Sequence, residues 1–163
     1  WRAQSKAGKK IDARIINTSS SVGMFGNVGQ VNYGAAKAAV ANMSLDAALE
    51  LKKIGVTVNA ICPRAESRMT EGLIQRTEEQ LAKRNPDYVA ALVAWLASAE
   101  SADITGRVFE ASGFGYSVLE GARHGARTEP TIEEAAKLND AIHKIVARSQ
   151  SPMHYNRDEF WDL

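Results

Sequence analysis

Apolar and polar positions along the chain switch between two periods, and the switches mark its elements. Ile11–Asn17 alternates and then closes on Ile15 and Ile16, which predicts a short buried strand. Val31–Lys53 carries Val40, Met43, Leu45, Leu49 and Leu51 among alanines, the pattern of a long helix. Its last residues, Lys52 and Lys53, put cations where the helix dipole favours them. Gly55 breaks that helix, and Val56–Ile61 predicts a second buried strand. Val89, Leu92, Val93 and Leu96 face inward from an amphipathic helix, Asp87–Ala99, entered through Pro86; Trp95 is assigned to the core. Arg107–Ala111 is the third strand. Strands separated by helices make this an α/β chain with a parallel sheet.

The connections are polar. Trp1–Lys10 reads as the end of a helix running into a Gly8-Lys-Lys turn, with Lys6, Lys9 and Lys10 solvated. Thr18–Gln30 is a loop holding three serines and Gly23, Gly26 and Gly29. It lacks the Lys-Ser/Thr pair of a phosphate-binding P-loop, so loop mobility is the expected purpose of these glycines. Pro63–Thr70 is a second loop, and Thr70–Arg84 is polar and helical. Ser112-Gly-Phe-Gly-Tyr116 has no third glycine and no following helix, unlike a dinucleotide fingerprint. Gly121–Glu129 is a basic loop with His124 exposed, and Thr131-Ile-Glu-Glu134 is a capping box that opens a helix to about Arg148, with His143 structural or at the surface. Ser149–Leu163 reads as a docking tail or a disordered stretch. The chain thus divides into a main part, 1–128, and a helical extension with a tail, 129–163.

Composition narrows the classes. Hydrophobic residues at 45% and charged ones at 24% describe an ordinary globular protein. A net charge of +1, with the basic residues scattered, gives no footprint for nucleic acid. No apolar stretch approaches a membrane span, and no signal peptide opens the chain. The single Cys62 excludes an intrachain disulfide, reads as a core residue and fits a reducing compartment. The terminal Trp-Asp-Leu is not a peroxisomal Ser-Lys-Leu address, so a cytoplasmic location is expected. No spacing of His, Cys and carboxylates suggests a metal site.

The chemistry gathers around the first loop. Tyr33 and Lys37 lie four apart and share one helix face. A phenol with a reference pKa of about 10 is a poor acid or base at neutral pH, and a neighbouring ammonium favours its ionised form. Ser20, thirteen residues before the Tyr, could bond and orient a substrate oxygen. Such a trio suits proton transfer at an alcohol or carbonyl, coupled to hydride transfer by a cofactor. Taken alone, the pair reads more readily as a surface Lys beside a half-buried Tyr; the serine loop after a buried strand changes that balance.

Asn17-Thr-Ser-Ser20, Tyr33-x-x-x-Lys37 and Val58-Asn-Ala-Ile-Cys-Pro63 together resemble the short-chain dehydrogenase/reductase family. Pro63-Arg-Ala-Glu-Ser-Arg-Met-Thr70, Pro86-Asp-Tyr-Val-Ala-Ala-Leu-Val-Ala-Trp-Leu96 and Gly106-Arg-Val-Phe-Glu110 are similar to the (3R)-hydroxyacyl-CoA dehydrogenase domain of multifunctional beta-oxidation enzymes. The resemblance covers roughly Ile11 to Thr128. It implies the C-terminal part of a Rossmann-like, doubly wound parallel sheet in three αβα layers. It also implies Ser20 as substrate-orienting serine, Tyr33 as acid/base, and Lys37 as its activator and ribose holder. Ala65, Glu66, Ser67 and Arg68 match residues that wrap the nicotinamide end of NAD, with NADP as the alternative cofactor. The substrate class implied is a secondary alcohol or ketone, a 3-hydroxyacyl thioester above all, and the Val31–Lys53 helix implies a homo-oligomer. Thr70–Arg84 matches a mobile segment that covers the acyl substrate.

Two departures qualify the resemblance. Arg64 stands where the family carries Gly or a small or polar residue, and its bulk is expected to alter the loop. No glycine-rich nucleotide turn with a downstream acidic residue is present, nor the asparagine that completes the family's catalytic set. The 163 residues therefore read as a fragment with little activity alone. The competing readings are an NADPH-dependent 3-ketoacyl reductase and a non-catalytic oligomerisation partner.

Overall fold

A computed structural model describes residues 1–68, 75–121 and 135–148. The described residues fall into two compact units, Trp1–Leu119 and a second that holds helix α6 (Ala135–Arg148). In the first unit the order is α1 (Arg2–Lys6), β1 (Ala13–Thr18), α2 (Ser21–Phe25), α3 (Val31–Leu51), β2 (Val56–Pro63), α4 (Glu78–Ala82), α5 (Pro86–Ala97), β3 (Val108–Ser112) and β4 (Gly115–Val118).

The four strands form one sheet in the order β1-β2-β3-β4. β1 and β2 are parallel, with Ala13 opposite Val56 and Thr18 opposite Ile61. β2 and β3 are also parallel, whereas β4 returns antiparallel on β3. Successive side chains of a strand point to opposite faces, and β2 is buried on both. Val56, Val58, Ala60 and Cys62 pack with Ala41 and Ala48 of α3. Ile61 packs on the other face with Leu92 and Leu96 of α5 and Ala111 of β3. A helix layer on each side of a mostly parallel sheet is the three-layer αβα arrangement expected from the sequence, and the two polar residues of β2, Thr57 and Asn59, are buried with its apolar ones.

Four local readings need correction. The serine loop contains α2, because Ser20 caps it: the Ser20 hydroxyl accepts from the Val22 N–H at 3.2 Å and the Ser20 carbonyl from the Gly23 N–H at 2.9 Å. The segment after β3, for which no strand was expected, is a tight turn that leads into β4. Trp95 is 39% exposed, at the edge of the inward stripe, where it lines an open cavity with Leu92 and Phe109. The long helix ends at Leu51 and tightens into a 3₁₀ turn, Lys52–Ile54.

Between Thr70 and Arg84 the described helix is α4 alone, started by a reciprocal Thr77–Gln80 capping box. Residues 69–74 lie outside the described residues, as do His124, the Thr131–Glu134 capping box and the tail 149–163. His143 lies on the exposed surface of α6. No helix among the described residues is long and apolar enough to cross a membrane.

Candidate active site

Because β1 and β2 run parallel and in register, the segments that follow them leave the sheet at the same, carboxyl end. Ser20 follows β1 directly and caps α2. That bond uses one acceptor site on its hydroxyl and leaves the hydrogen available to a substrate oxygen. Tyr33 stands in the first turn of α3, 42% exposed, and Lys37 lies one turn further along the helix, half-buried. The Lys37 ammonium donates to the Thr18 carbonyl at 2.9 Å and lies 5.8 Å from the Tyr33 ring centroid. Ser20 and Lys37 are thus anchored at the end of β1, and Tyr33 stands beside Lys37.

α3 is stitched to β1 at three points. The Ser19 hydroxyl donates to the Lys37 carbonyl at 2.6 Å, the Asn17 amide donates to the Ser44 hydroxyl at 2.9 Å, and Lys37 itself closes on Thr18. α2 presses on the same place. A Cβ at Gly23 would stand 2.6 Å from the Ala38 nitrogen and 2.7 Å from the Lys37 carbonyl carbon. Close helix approach, not mobility, is therefore what Gly23 permits. Gly26, at φ 74°, and Gly29, at φ 78°, instead serve turns that a side chain would strain.

The second candidate loop starts at Arg64, the last residue tied to the sheet, whose N–H donates to the Ala111 carbonyl at 2.9 Å. Ala65 and Glu66 are half-buried, while Ser67 and Arg68 are exposed. The Glu66 N–H donates to the Arg84 carbonyl at 2.8 Å, and its carboxylate accepts from Arg76 at 2.7 Å in a largely buried ion pair. Glu66 thus faces the protein, leaving Ser67 and Arg68 as the outward polar groups. Arg64 does not bulge into the loop as its size suggested. Its side chain is 3% exposed, with Nε 4.0 Å from the Glu110 carboxylate and Cζ 5.9 Å from the Phe114 ring centroid.

Under the site the sheet is dry. Cys62 is fully buried, and burial pushes its thiol up to about 11, against a hydrogen bond with Ser19 that pulls the other way. Burial also raises the Glu110 carboxyl above its ordinary value, partly offset by the Arg64 charge. Sequence reasoning assigned no role to Asn17, Ser19, Ser44, Arg76 or Glu110. Asn17 and Ser19 stood inside a quoted motif, but nothing in the residue order says that their side chains reach α3. No group of three His, Cys, Asp or Glu side chains is placed to hold a metal among the described residues.

Residues 3–80 match the family model described as short chain dehydrogenase. A hydroxyacyl-CoA dehydrogenase of Mycobacterium tuberculosis, ChsB1, is 40% identical over 115 residues, which are 67% of this chain and 36% of that protein. The peroxisomal multifunctional enzyme type 2 of Mus musculus is 37% identical over 131 residues, 77% of this chain and 17% of that one. The crystal structure of a short chain dehydrogenase from Mycobacterium avium superposes with a TM-score of 0.82 at 41% identity, over 94% of this chain and 50% of that one. Sheet and helix layers are therefore those of a Rossmann-like αβα fold, shared with a solved short chain dehydrogenase. Over residues 3–80 the chain is similar to the short-chain dehydrogenase/reductase family. It spans about a third of the first relative's length and half of the solved chain's.

Proposed function

We propose that the chain carries the proton-transferring part of an NAD(H)-dependent oxidoreductase that interconverts a secondary alcohol and a ketone, the substrate being a 3-hydroxyacyl thioester. The single observation that carries this reading is the gathering of Ser20, Tyr33 and Lys37 at the end of β1, with the Lys37 ammonium bonded to Thr18 and facing the Tyr33 ring. The names of two relatives, a hydroxyacyl-CoA dehydrogenase and a peroxisomal multifunctional enzyme, support the substrate class.

The donor set fits a nicotinamide dinucleotide. Lys37 supplies an ammonium for ribose hydroxyls, Ser67 a hydroxyl for a carboxamide and Arg68 a guanidinium for a phosphate, all at one end of the sheet. Ala65 and Glu66 contribute backbone, since the Glu66 carboxylate is taken by Arg76. Bound there, the nicotinamide ring would give or take the hydride. In the reducing direction Ser20 donates its hydroxyl hydrogen to the substrate carbonyl oxygen and orients it. Tyr33 passes its phenolic proton to that oxygen, and the positive charge of Lys37 stabilises the phenolate left behind. In oxidation the same proton returns to Tyr33. A homo-oligomer through α3 belongs to this reading and is supported by the outward Met43 and Leu49. A cytoplasmic location belongs to it too, supported by the lone buried thiol.

The test uses the complete gene product with 3-hydroxyacyl-CoA and, in parallel, NAD and NADP. Tyr33→Phe should cut turnover by about 10³-fold, the middle of what positioned acid/base groups contribute, while NADH binding measured by fluorescence changes little. Turnover that survives the substitution would remove Tyr33 from the reaction. Absence of turnover in the unaltered protein with either cofactor would favour the non-catalytic, oligomerising reading.

A further inference from the structure

We infer that Arg64 and Glu110 are positioning residues that fix the loop Ala65–Arg68 from below; this rests on the reading of that loop as the cofactor-facing segment. Cys62 is the register partner of Glu110 on β3, and Arg64 follows two residues later, just past the end of β2. The Arg64 and Glu110 side chains are 3% and 4% exposed, with Nε and Oε1 4.0 Å apart. Oε1 of Glu110 accepts no hydrogen bond among the described residues, so the guanidinium is the charge that compensates it. The ring of Phe114, in the β3–β4 turn, lies 5.9 Å from the guanidinium carbon.

Burying two opposite charges costs the hydration of both, and matched apolar residues fill such a space at no loss of stability. What the pair adds is a defined place for Arg64. That residue is where the β2–β3 ladder stops, its N–H still held by Ala111, and the next residue leaves the sheet. From there the loop is held once more, at Glu66, by the Arg84 carbonyl and by Arg76. Arg64 sets the direction in which the chain departs, and Glu66 sets where it arrives. Ser67 and Arg68, exposed beyond the second clamp, inherit their position from both. Neither Arg64 nor Glu110 reaches outward, so their effect on a bound cofactor passes through this backbone.

The experiment is initial-rate kinetics on the complete gene product as wild type, Arg64→Met and Arg64→Met/Glu110→Gln, with cofactor concentration varied and thermal unfolding followed in parallel. Arg64→Met keeps length and bulk but removes the charge. It should raise KM for the nicotinamide cofactor about tenfold and lower kcat less than about threefold, the signature of lost uniform binding. The double substitution leaves no buried charge unpaired. It should recover the unfolding midpoint and keep the raised KM. An unchanged KM in Arg64→Met, or a KM that returns to wild type together with the midpoint in the double variant, overturns the inference. If Arg64→Met does not fold, the KM of the double variant decides by itself. Failure of the underlying reading looks different: Tyr33→Phe then retains turnover, whatever Arg64 does.

Discussion

Gly23→Ala tests whether the site depends on how closely α2 approaches α3. The added methyl would meet the Ala38 nitrogen at 2.6 Å and the Lys37 carbonyl carbon at 2.7 Å, where ordinary contact begins at 3.4 Å. The obstacles are backbone atoms and cannot rotate away, so the two helices must part by about 0.8 Å, the difference 3.4 − 2.6. Overpacking of this kind costs about 1–3 kcal/mol. The better helix propensity of alanine returns about 1 kcal/mol, leaving a net loss of roughly 0–2 kcal/mol. The displacement falls on Lys37 itself, and a misplacement near 1 Å at a reacting site costs about 10²-fold in rate. Gly26→Ala is the control. Nothing lies within 4 Å of its would-be Cβ, but its φ of 74° disfavours a side chain, so it should lose about 1 kcal/mol and keep its turnover. Urea unfolding gives the first quantity for each variant, and kcat/KM for the alcohol substrate gives the second. Wild-type turnover in Gly23→Ala, or equal losses of activity in the two variants, would refute the close-approach argument.

Two further outcomes are expected. Asn59 is 1% exposed; its amide donates to the Ile104 carbonyl at 2.8 Å and its oxygen accepts from the Arg107 N–H at 3.0 Å. Asn59→Ala should therefore cost about 2–4 kcal/mol in urea unfolding, for two buried backbone groups left without partners; a loss under about 1 kcal/mol would mean that water replaces the amide. Cys62 titrates near 9.0 when unfolded and about 11 when buried, so the native state holds the proton through that window and the unfolded state does not. Its contribution is complete below about pH 9 and falls by up to roughly 3 kcal/mol as pH rises to about 11. The difference between wild type and Cys62→Ala should narrow over that window, and parallel stability curves would count against the burial argument.

The strands and long helices were legible because each buries a face, and burial imposes a period on the residues that serve it. β2 is the clearest case: covered on both sides, it carries Val56, Val58, Ala60, Ile61 and Cys62, and its buried Asn59 is bonded to the Ile104 carbonyl and the Arg107 N–H. α2 and β4 left no such trace. α2 has five residues and exists through the Ser20 cap and the short backbone approach at Gly23, neither of which makes a periodic pattern. β4 pairs through backbone across a tight turn, with Tyr116 and Val118 exposed, so its sequence has no inward face to show. Trp95 misled for a related reason. An apolar side chain beside a core stripe reads as part of it, yet Trp95 sits at the stripe's edge and stays 39% exposed, lining an open cavity with Leu92 and Tyr116. At the site, spacing placed Tyr33 and Lys37 on one helix face, but the bonds from Asn17 and Ser19 cross between elements and follow from the fold alone.

Those cross-element bonds explain how a helix with so little apolar contact is held so accurately. The buried residues of α3 are Ala41, Ser44 and Ala48, all small, while Met43 and Leu49 face outward. Small residues let the helix axis come close to the sheet and let the Lys37 ammonium reach the Thr18 carbonyl at 2.9 Å. They also bury little surface, at about 25 cal/mol per Å², so packing alone fixes the sliding of α3 along the sheet only weakly. Directional bonds from Asn17 and Ser19 supply that register, since a hydrogen bond weakens steeply when its angle or length is lost. A leucine in place of Ala41 would bury more area and lift the helix away from β1. The inner face of α3 is therefore built for distance from the strand at the expense of hydrophobic stabilisation, and Lys37 is the residue that needs that distance.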